Sequence, residues 1–224
     1  MGNPHRWAAV SEPGGTAKIN RCFSSISISP LSKGSLWWYN QLYVSFTGIE
    51  GRSDSAVAFS LIPSHLAESI YWLTPEVLAE HGIRLVLCDL DNTLTPYEES
   101  APSPALMAWK EALEKRGITL FVVSNSRKSR RCPDFCEKLG IPYVRHAGKP
   151  SIRGFRAALE QTGIPASQAI MVGDQIFTDT LGANRAGVTS VLVRPMAWGK
   201  NPGRRLRYAI ETPFRLLGMA KSRL

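Results

Sequence analysis

Two carboxylates separated by one residue directly follow a short apolar run of the sequence. Asp89 and Asp91 come after residues 84–88, whose composition is typical of a buried β-strand. Charged groups at the end of a buried strand are costly unless an opposite charge meets them. We therefore expect this pair of carboxylates to face a cation.

Other polar side chains follow the later apolar runs in the same way. Each of three further predicted strands is followed by such groups: Ser124 and Asn125, then Lys149, then Asp174 and Asp179. Together they supply carboxylates, a hydroxyl and an ammonium, a set that suits a divalent cation and a phosphate. Hard oxygen ligands select Mg²⁺, which proteins usually hold with few carboxylates and the phosphate of a substrate.

The elements that must position these groups alternate between strand and helix. Helix-starting residues and helix-ending glycines, such as Ser103-Pro104 and Gly117, separate continuous apolar runs. This pattern predicts an α/β, Rossmann-like fold with a parallel sheet of about five strands and helices on both faces. Ligands of such sheets bind beyond the carboxyl ends of the strands, where the polar groups lie. The predicted strands are 84–88, 118–123, 142–144, 169–172 and 188–193, and the predicted helices include 104–116, 128–139, 151–162 and 178–186.

The motifs resemble those of the haloacid dehalogenase (HAD) superfamily phosphatases. Asp89-Leu90-Asp91-Asn92-Thr93 resembles the first motif of that family, and Ser124, Lys149 and the segment 173–179 resemble the second, third and fourth in family order. The finer resemblance is to the YqeG-like branch of subfamily IIIA, to which Gly-Ala-Asn-Arg-Ala-Gly at 182–187 also belongs. The gaps between the motifs hold one helix each, so we expect no cap domain.

The resemblance implies a role for each of these side chains. Asp89 would be the nucleophile that forms an aspartyl-phosphate, Asp91 would protonate the leaving oxygen and then activate water, and Thr93 would hold Asp91 in place. The implied Mg²⁺ ligands are Asp89, Asp91 through its backbone carbonyl, Asp174 and Asp179, and the implied phosphate ligands are Ser124, Asn125 and Lys149. Two of these assignments have alternatives: Asp179 could orient a ligand or cap a helix, and Asn125 could be a capping residue.

The charge of the chain is concentrated at its C-terminal end. The formal net charge is +9, but residues 61–193 contain fourteen basic and fourteen acidic side chains, whereas residues 194–224 contain eight basic residues and one acid. We therefore predict a poorly ordered or non-native extension over 1–60, a phosphatase domain over 61–198 and a basic amphipathic tail over 199–224. Pro213 predicts two short helical pieces in that tail, which either contacts an anionic membrane or packs on the domain.

The resemblance to phosphatidylglycerophosphate phosphatases implies a phosphorylated lipid as substrate and Mg²⁺ as cofactor. A soluble small-molecule or phosphoprotein phosphatase is the alternative, and a nucleic-acid-associated protein is a third and less favoured reading. No obligate protein partner is evident. Because the chain contains no apolar run long enough to span a bilayer, we expect a cytoplasmic protein with peripheral contact to the inner face of the membrane, and an organelle-targeted form stays open.

Overall fold

A parallel six-stranded sheet forms the centre of the molecule. The computed structural model describes residues 60–126, 130–197 and 202–221. The sheet order is β1-β6-β5-β2-β3-β4, and every neighbouring pair is parallel. The strands are β1 (His65–Ala67), β2 (Leu85–Cys88), β3 (Thr119–Val123), β4 (Tyr143–Val144), β5 (Ala169–Gly173) and β6 (Thr189–Val193).

The register of the sheet brings the strand ends of the sequence motifs to one edge. Cys88, the last residue of β2, pairs with Val122 on one side and Val172 on the other. Because the strands are parallel and in register, the segments that follow β2, β3 and β5 leave the sheet side by side. This edge is where the sequence predicts the site.

Helices cover both faces of the sheet. One of them begins as the sequence predicts, since the Ser103 hydroxyl accepts a hydrogen bond from Leu106 N–H, and the Thr74 hydroxyl accepts one from Val77 N–H at the start of another. Short 3-10 turns span Ile70–Trp72 and Ala166–Gln168, and a π-helical turn spans Ile176–Thr180. The helices are α1 (Pro75–Glu80), α2 (Pro104–Lys115), α3 (Arg131–Leu139), α4 (Arg153–Thr162), α5 (Leu181–Arg185) and α6 (Pro202–Lys221).

Alternate residues of the central strands pack into two separate layers of the core. Leu85 and Leu87 of β2 lie in the cluster that includes Phe155 of α4. Val86, between them, lies in the opposite cluster with Phe135 of α3. A strand buried on both faces has no polar positions, which explains why these strands appear in the sequence as continuous apolar runs.

The structure confirms the predicted fold class and adds one strand. β1 was not predicted, because three residues at the sheet edge carry too short a pattern to be recognised. In the described part of the chain, the segments between the site motifs contain helices and strand β4 but no separate cap domain. The prediction for residues 1–60 falls outside the described residues, except for Ser60.

The C-terminal segment differs from the prediction of two short helical pieces, which was wrong. Residues 202–221 form one helix, α6, with Pro213 inside it. Tertiary contacts on both sides of this proline hold the helix together: Glu211 and Arg215 bond to the domain, and Gly218 packs so closely on Pro63 that a Cβ would overlap the ring. None of the described helices is both long and apolar enough to cross a bilayer.

Candidate active site

Three buried carboxylates meet where β2 and β5 end. Asp89, Asp174 and Asp179 each offer an oxygen atom that lies within 4.8 Å of the others. The Asp89 N–H donates to the carbonyl oxygen of Val172 at 2.9 Å, so the ladder of the sheet extends into the site. Asp179 reaches the cluster from the π-helical turn, and glycine at position 173 is required because a Cβ there would overlap its carboxylate.

Lys149 lies among these carboxylates and is itself buried. Its Nζ donates to Asp89 Oδ1 at 2.6 Å and lies 2.8 Å from Asp179 Oδ1. The Asn125 side chain holds the backbone of this lysine, since its Oδ1 accepts from Lys149 N–H and its Nδ2 donates to the Lys149 carbonyl, both at 2.9 Å. Asn125 therefore ties the second motif to the third, and its predicted contact with phosphate stays a prediction.

Burial and mutual repulsion shape the protonation of the cluster. Burial raises the pKa of Asp89 to about 6, although the charge of Lys149 opposes the rise. Burial and the charges of Asp89 and Asp179 raise the pKa of Asp174 well above its usual value. Burial would lower the pKa of Lys149, but the charges of Asp179 and Asp89 outweigh it and raise that pKa. The ammonium of Lys149 is therefore charged, whereas Asp89 and Asp174 need more positive charge nearby to stay ionised together.

The cluster fits a divalent cation. Asp174 Oδ1 is buried and has no hydrogen-bond partner among the described residues, and Lys149 alone does not neutralise three carboxylates. Hard carboxylate oxygens in this number are the ligands that Mg²⁺ takes in proteins. Asp89 and Asp174 would hold the ion, and the ligand roles of the Asp91 carbonyl and of Asp179 stay predictions. The ion would supply positive charge that polarises phosphoryl oxygens.

Both carboxylate oxygens of Asp179 already make contacts, and binding of a metal ion would have to use the same atoms. Asp179 Oδ1 faces Lys149 Nζ and accepts from the Thr178 hydroxyl at 3.3 Å, and its Oδ2 accepts from Gln175 N–H at 3.2 Å. These contacts favour the alternative in which Asp179 orients Lys149 and the loop from Asp174. Its direct contact with a metal stays a prediction.

Asp91 is held by an arginine that the sequence analysis missed. Arg131 Nε donates to Asp91 Oδ1 at 2.5 Å, and its two remaining nitrogens donate to the carbonyls of Glu99 and Pro96 at 2.5 and 2.9 Å. Its guanidinium also lies over the Tyr97 ring, 5.3 Å from the centroid. No spacing rule marks Arg131 within its basic stretch, because its partners lie more than thirty residues away in the sequence.

The two remaining predicted residues are both buried near the strand ends. Ser124 follows β3, and its hydroxyl accepts from Ser126 N–H at 3.0 Å. Thr93 Oγ1 makes no hydrogen bond within the described residues, and the contact that holds the Asp91 carboxylate comes from Arg131. The structure thus gives Arg131 the positioning contact that the resemblance assigned to Thr93.

The C-terminal helix completes the wall of the site. Glu211 accepts hydrogen bonds from Ile176 N–H and Phe177 N–H at 3.0 and 3.1 Å. Arg215 donates to the Asp174 carbonyl at 2.6 Å and to Glu211 at 2.9 Å. This pair of residues, both buried, attaches α6 to the loop that presents Asp174. The sequence marks Glu211 as the one acid among the basic residues of 194–224, but it does not predict these contacts.

Comparison with known proteins agrees with this geometry. Residues 146–211 match the family model described as HAD-hydrolase-like. The chain is 36% identical over 136 residues to "Probable phosphatase YqeG" of Bacillus subtilis (strain 168), a match that covers 61% of this chain and 78% of that protein.

Two further relatives are longer proteins. "Phosphatidylglycerophosphate phosphatase 1, chloroplastic" of Chlamydomonas reinhardtii is 32% identical over 63% of this chain, and "Phosphatidylglycerophosphate phosphatase 1, chloroplastic/mitochondrial" of Arabidopsis thaliana is 28% identical over the same share. The matches span only 55% and 43% of those two proteins. With its parallel sheet and with acidic motifs at the strand ends, the chain belongs to the YqeG-like branch of the HAD phosphatases.

Proposed function

We propose that this phosphatase removes the terminal phosphate of phosphatidylglycerophosphate at a membrane surface, leaving phosphatidylglycerol and inorganic phosphate. The observation that carries the proposal is an apolar stripe on α6, the helix that also walls the site. Leu206, Ile210 and Leu217 lie on one side of this helix and are 64%, 53% and 52% exposed. The activities named for two relatives agree with a lipid substrate.

The stripe is suited to an anionic bilayer. Residues four and seven apart share a helix face, so the three side chains form one continuous row. An apolar row on a helix with five basic residues and one acid is typical of helices that lie at membrane interfaces. Each basic residue near an anionic surface contributes about 1 kcal/mol of attraction. A site without a cap domain, beside such a row, could bind a lipid headgroup while the lipid stays in the bilayer.

The proposed chemistry uses the two carboxylates of the first motif in turn. An Asp89 carboxylate oxygen attacks phosphorus, the bond to the leaving glycerol oxygen breaks, and Asp91 donates a proton to that oxygen. Asp91 then takes a proton from water, which attacks the aspartyl-phosphate and releases inorganic phosphate. Lys149 and Ser124 would contact the phosphoryl oxygens, whose negative charge must be stabilised during transfer.

A vesicle assay tests the proposal. Phosphate release from phosphatidylglycerophosphate is measured in vesicles of phosphatidylcholine with and without phosphatidylglycerol, in Mg²⁺ and after chelation. We expect release that requires Mg²⁺ and rises with anionic lipid. The double variant Leu206→Gln/Ile210→Gln should lose most of this rise and pellet less with anionic vesicles.

Met107→Gln is the matched control, because Met107 is an exposed apolar residue of another helix, α2. It should behave as the parent protein in the vesicle assay. Hydrolysis of soluble phosphomonoesters or phosphopeptides in preference to the lipid would contradict the proposal. Equal pelleting of the parent and the double variant with anionic and neutral vesicles would contradict its membrane component.

A further inference from the structure

A cleft beside Asp174 contains side chains that the phosphoryl chemistry described above does not use. It opens to solvent between Asn92, Asp174 and the inner side of α6. Three arginines of that helix line it, namely Arg204, Arg207 and Arg215. Such a concentration of guanidinium groups next to a phosphatase site indicates a place for an anion other than the phosphate that is removed.

Arg204 lies over the same aromatic ring as the arginine that bonds to Asp91. Its guanidinium lies over the Tyr97 ring, 4.9 Å from the centroid. Arg131, which bonds to Asp91, lies over the same ring. Tyr97 thereby keeps Arg204 near the carboxylate that would protonate the leaving oxygen. Arg207 bonds to the side chain of Gln175, the residue directly after Asp174.

Two buried polar atoms of the cleft have no partner among the described residues. Arg215 Nε is a donor and Asn92 Oδ1 is an acceptor, and both residues line the cleft. Arg215 also donates to the Asp174 carbonyl and to Glu211, and its guanidinium lies over the Tyr208 ring, 4.2 Å from the centroid. Solvent reaches neither atom, so the cationic groups of the cleft that a ligand can contact are those of Arg204 and Arg207.

We propose that this cleft binds a second anionic group on the leaving alcohol, a phosphodiester, with Arg204 and Arg207 as its ligands. This inference rests on the proposed function and names the part of the substrate that would give specificity. The forked donors of a guanidinium match the two non-bridging oxygens of a phosphodiester. A carboxylate has similar oxygens, so the test compares the two anions.

Three soluble phosphomonoesters test the cleft without a membrane. One is glycerol phosphate carrying a methyl phosphodiester on its other terminal carbon, the second is glycerol phosphate, and the third is 3-phosphoglycerate, whose second anion is a carboxylate. The readout is the ratio of kcat/KM between substrates. We expect the parent enzyme to prefer the phosphodiester substrate over both others by at least tenfold.

Arg204→Gln and Arg207→Gln should each reduce this preference severalfold, mainly through KM. Arg205→Gln is the matched control, because Arg205 lies on the same helix, is exposed and does not line the cleft. Thermal unfolding of each variant confirms that it folds. A preference that survives in the Arg204 and Arg207 variants would overturn the inference, as would an equal loss for all three substrates or a preference for the carboxylate.

The outcome separates the inference from the proposed function. If the parent hydrolyses the lipid in vesicles but the variants keep its preference for the phosphodiester, the cleft is not the subsite and the proposed function stands. If the variants lose the preference on soluble substrates but the lipid itself is not hydrolysed, the subsite stands and the lipid substrate is wrong.

Discussion

The buried pair Glu211 and Arg215 offers a sharp test of how α6 supports the site. Glu211 is 1% exposed, and its carboxylate accepts from two backbone N–H groups and from Arg215. Glu211→Leu removes all three bonds and leaves the Arg215 charge buried beside apolar atoms. Breaking a buried ion pair from one side costs about 3–5 kcal/mol of unfolding free energy, and we expect a loss in that range.

A double-mutant cycle separates the pair from its surroundings. Arg215→Met should cost less than Glu211→Leu, because Glu211 keeps its bonds to Ile176 N–H and Phe177 N–H. Glu211→Leu/Arg215→Met contains no unpaired buried charge at these positions, so its cost should fall below the sum of the single costs by about 1–3 kcal/mol. Urea unfolding without metal measures all four proteins, with Arg205→Met as an exposed control on the same helix.

Metal binding supplies the second readout. Arg215 bonds to the Asp174 carbonyl, and Glu211 bonds to the N–H groups of Ile176 and Phe177 in the same loop. Each single variant should therefore weaken Mg²⁺ binding measured by calorimetry. The Arg205 control should bind as the parent does. A cost below 1 kcal/mol for Glu211→Leu, strictly additive single costs, or unchanged Mg²⁺ affinity in both single variants would each refute the reasoning.

Four further predictions follow from the carboxylate cluster. Asp89→Asn should abolish Mg²⁺-dependent phosphate release, and full activity in that variant would contradict the role of Asp89 as nucleophile. Lys149→Met should lower kcat at least a hundredfold in the same assay, since it removes the charge next to Asp89 and Asp179; a change in KM alone would contradict this. Because burial raises the pKa of Asp89 to about 6, the folded metal-free protein binds this proton more tightly than the unfolded chain does. Its stability in chelator should therefore fall as the pH rises from about 4 to about 6, and Asp89→Asn should flatten that slope in urea titrations. Arg131→Met should reduce kcat more than KM, with partial recovery in Arg131→Lys, and wild-type kinetics in either variant would exclude its role in positioning Asp91.

The parts of the fold that local chemistry determines could be predicted from the sequence. The strand ends at Cys88 and Val123 agree with the continuous apolar runs, and the Ser103 cap agrees with its helix. Those strand ends in turn predict which side chains share an edge of the sheet. The first motif, Lys149 and Asp174 could therefore be assigned to one site before any coordinates were known.

What could not be predicted depends on contacts between distant segments. Arg131 bonds to Asp91 forty positions away, and Arg215 bonds to Asp174 forty-one positions away. Nothing in the residues near these arginines marks them, because several other arginines share the same stretches. The continuity of α6 through Pro213 was missed for the same reason: local chemistry favours a break there, and tertiary contacts on both sides prevail.

The position of α6 also changes the interpretation of the positive charge in the C-terminal tail. The site buries Asp89, Asp174, Asp179 and Glu211, and a phosphomonoester approaching it carries further negative charge. Arg204, Arg207 and Arg215 line the same cleft as Asp174 and Glu211, so part of the positive charge of the tail lies beside these two carboxylates whether or not a membrane is bound. The apolar row of Leu206 and Ile210 is exposed instead, which leaves lipid contact to the outer side of the same helix. Removal of the tail would abolish both contributions at once, whereas substitutions on the two sides of α6 separate catalysis from membrane binding.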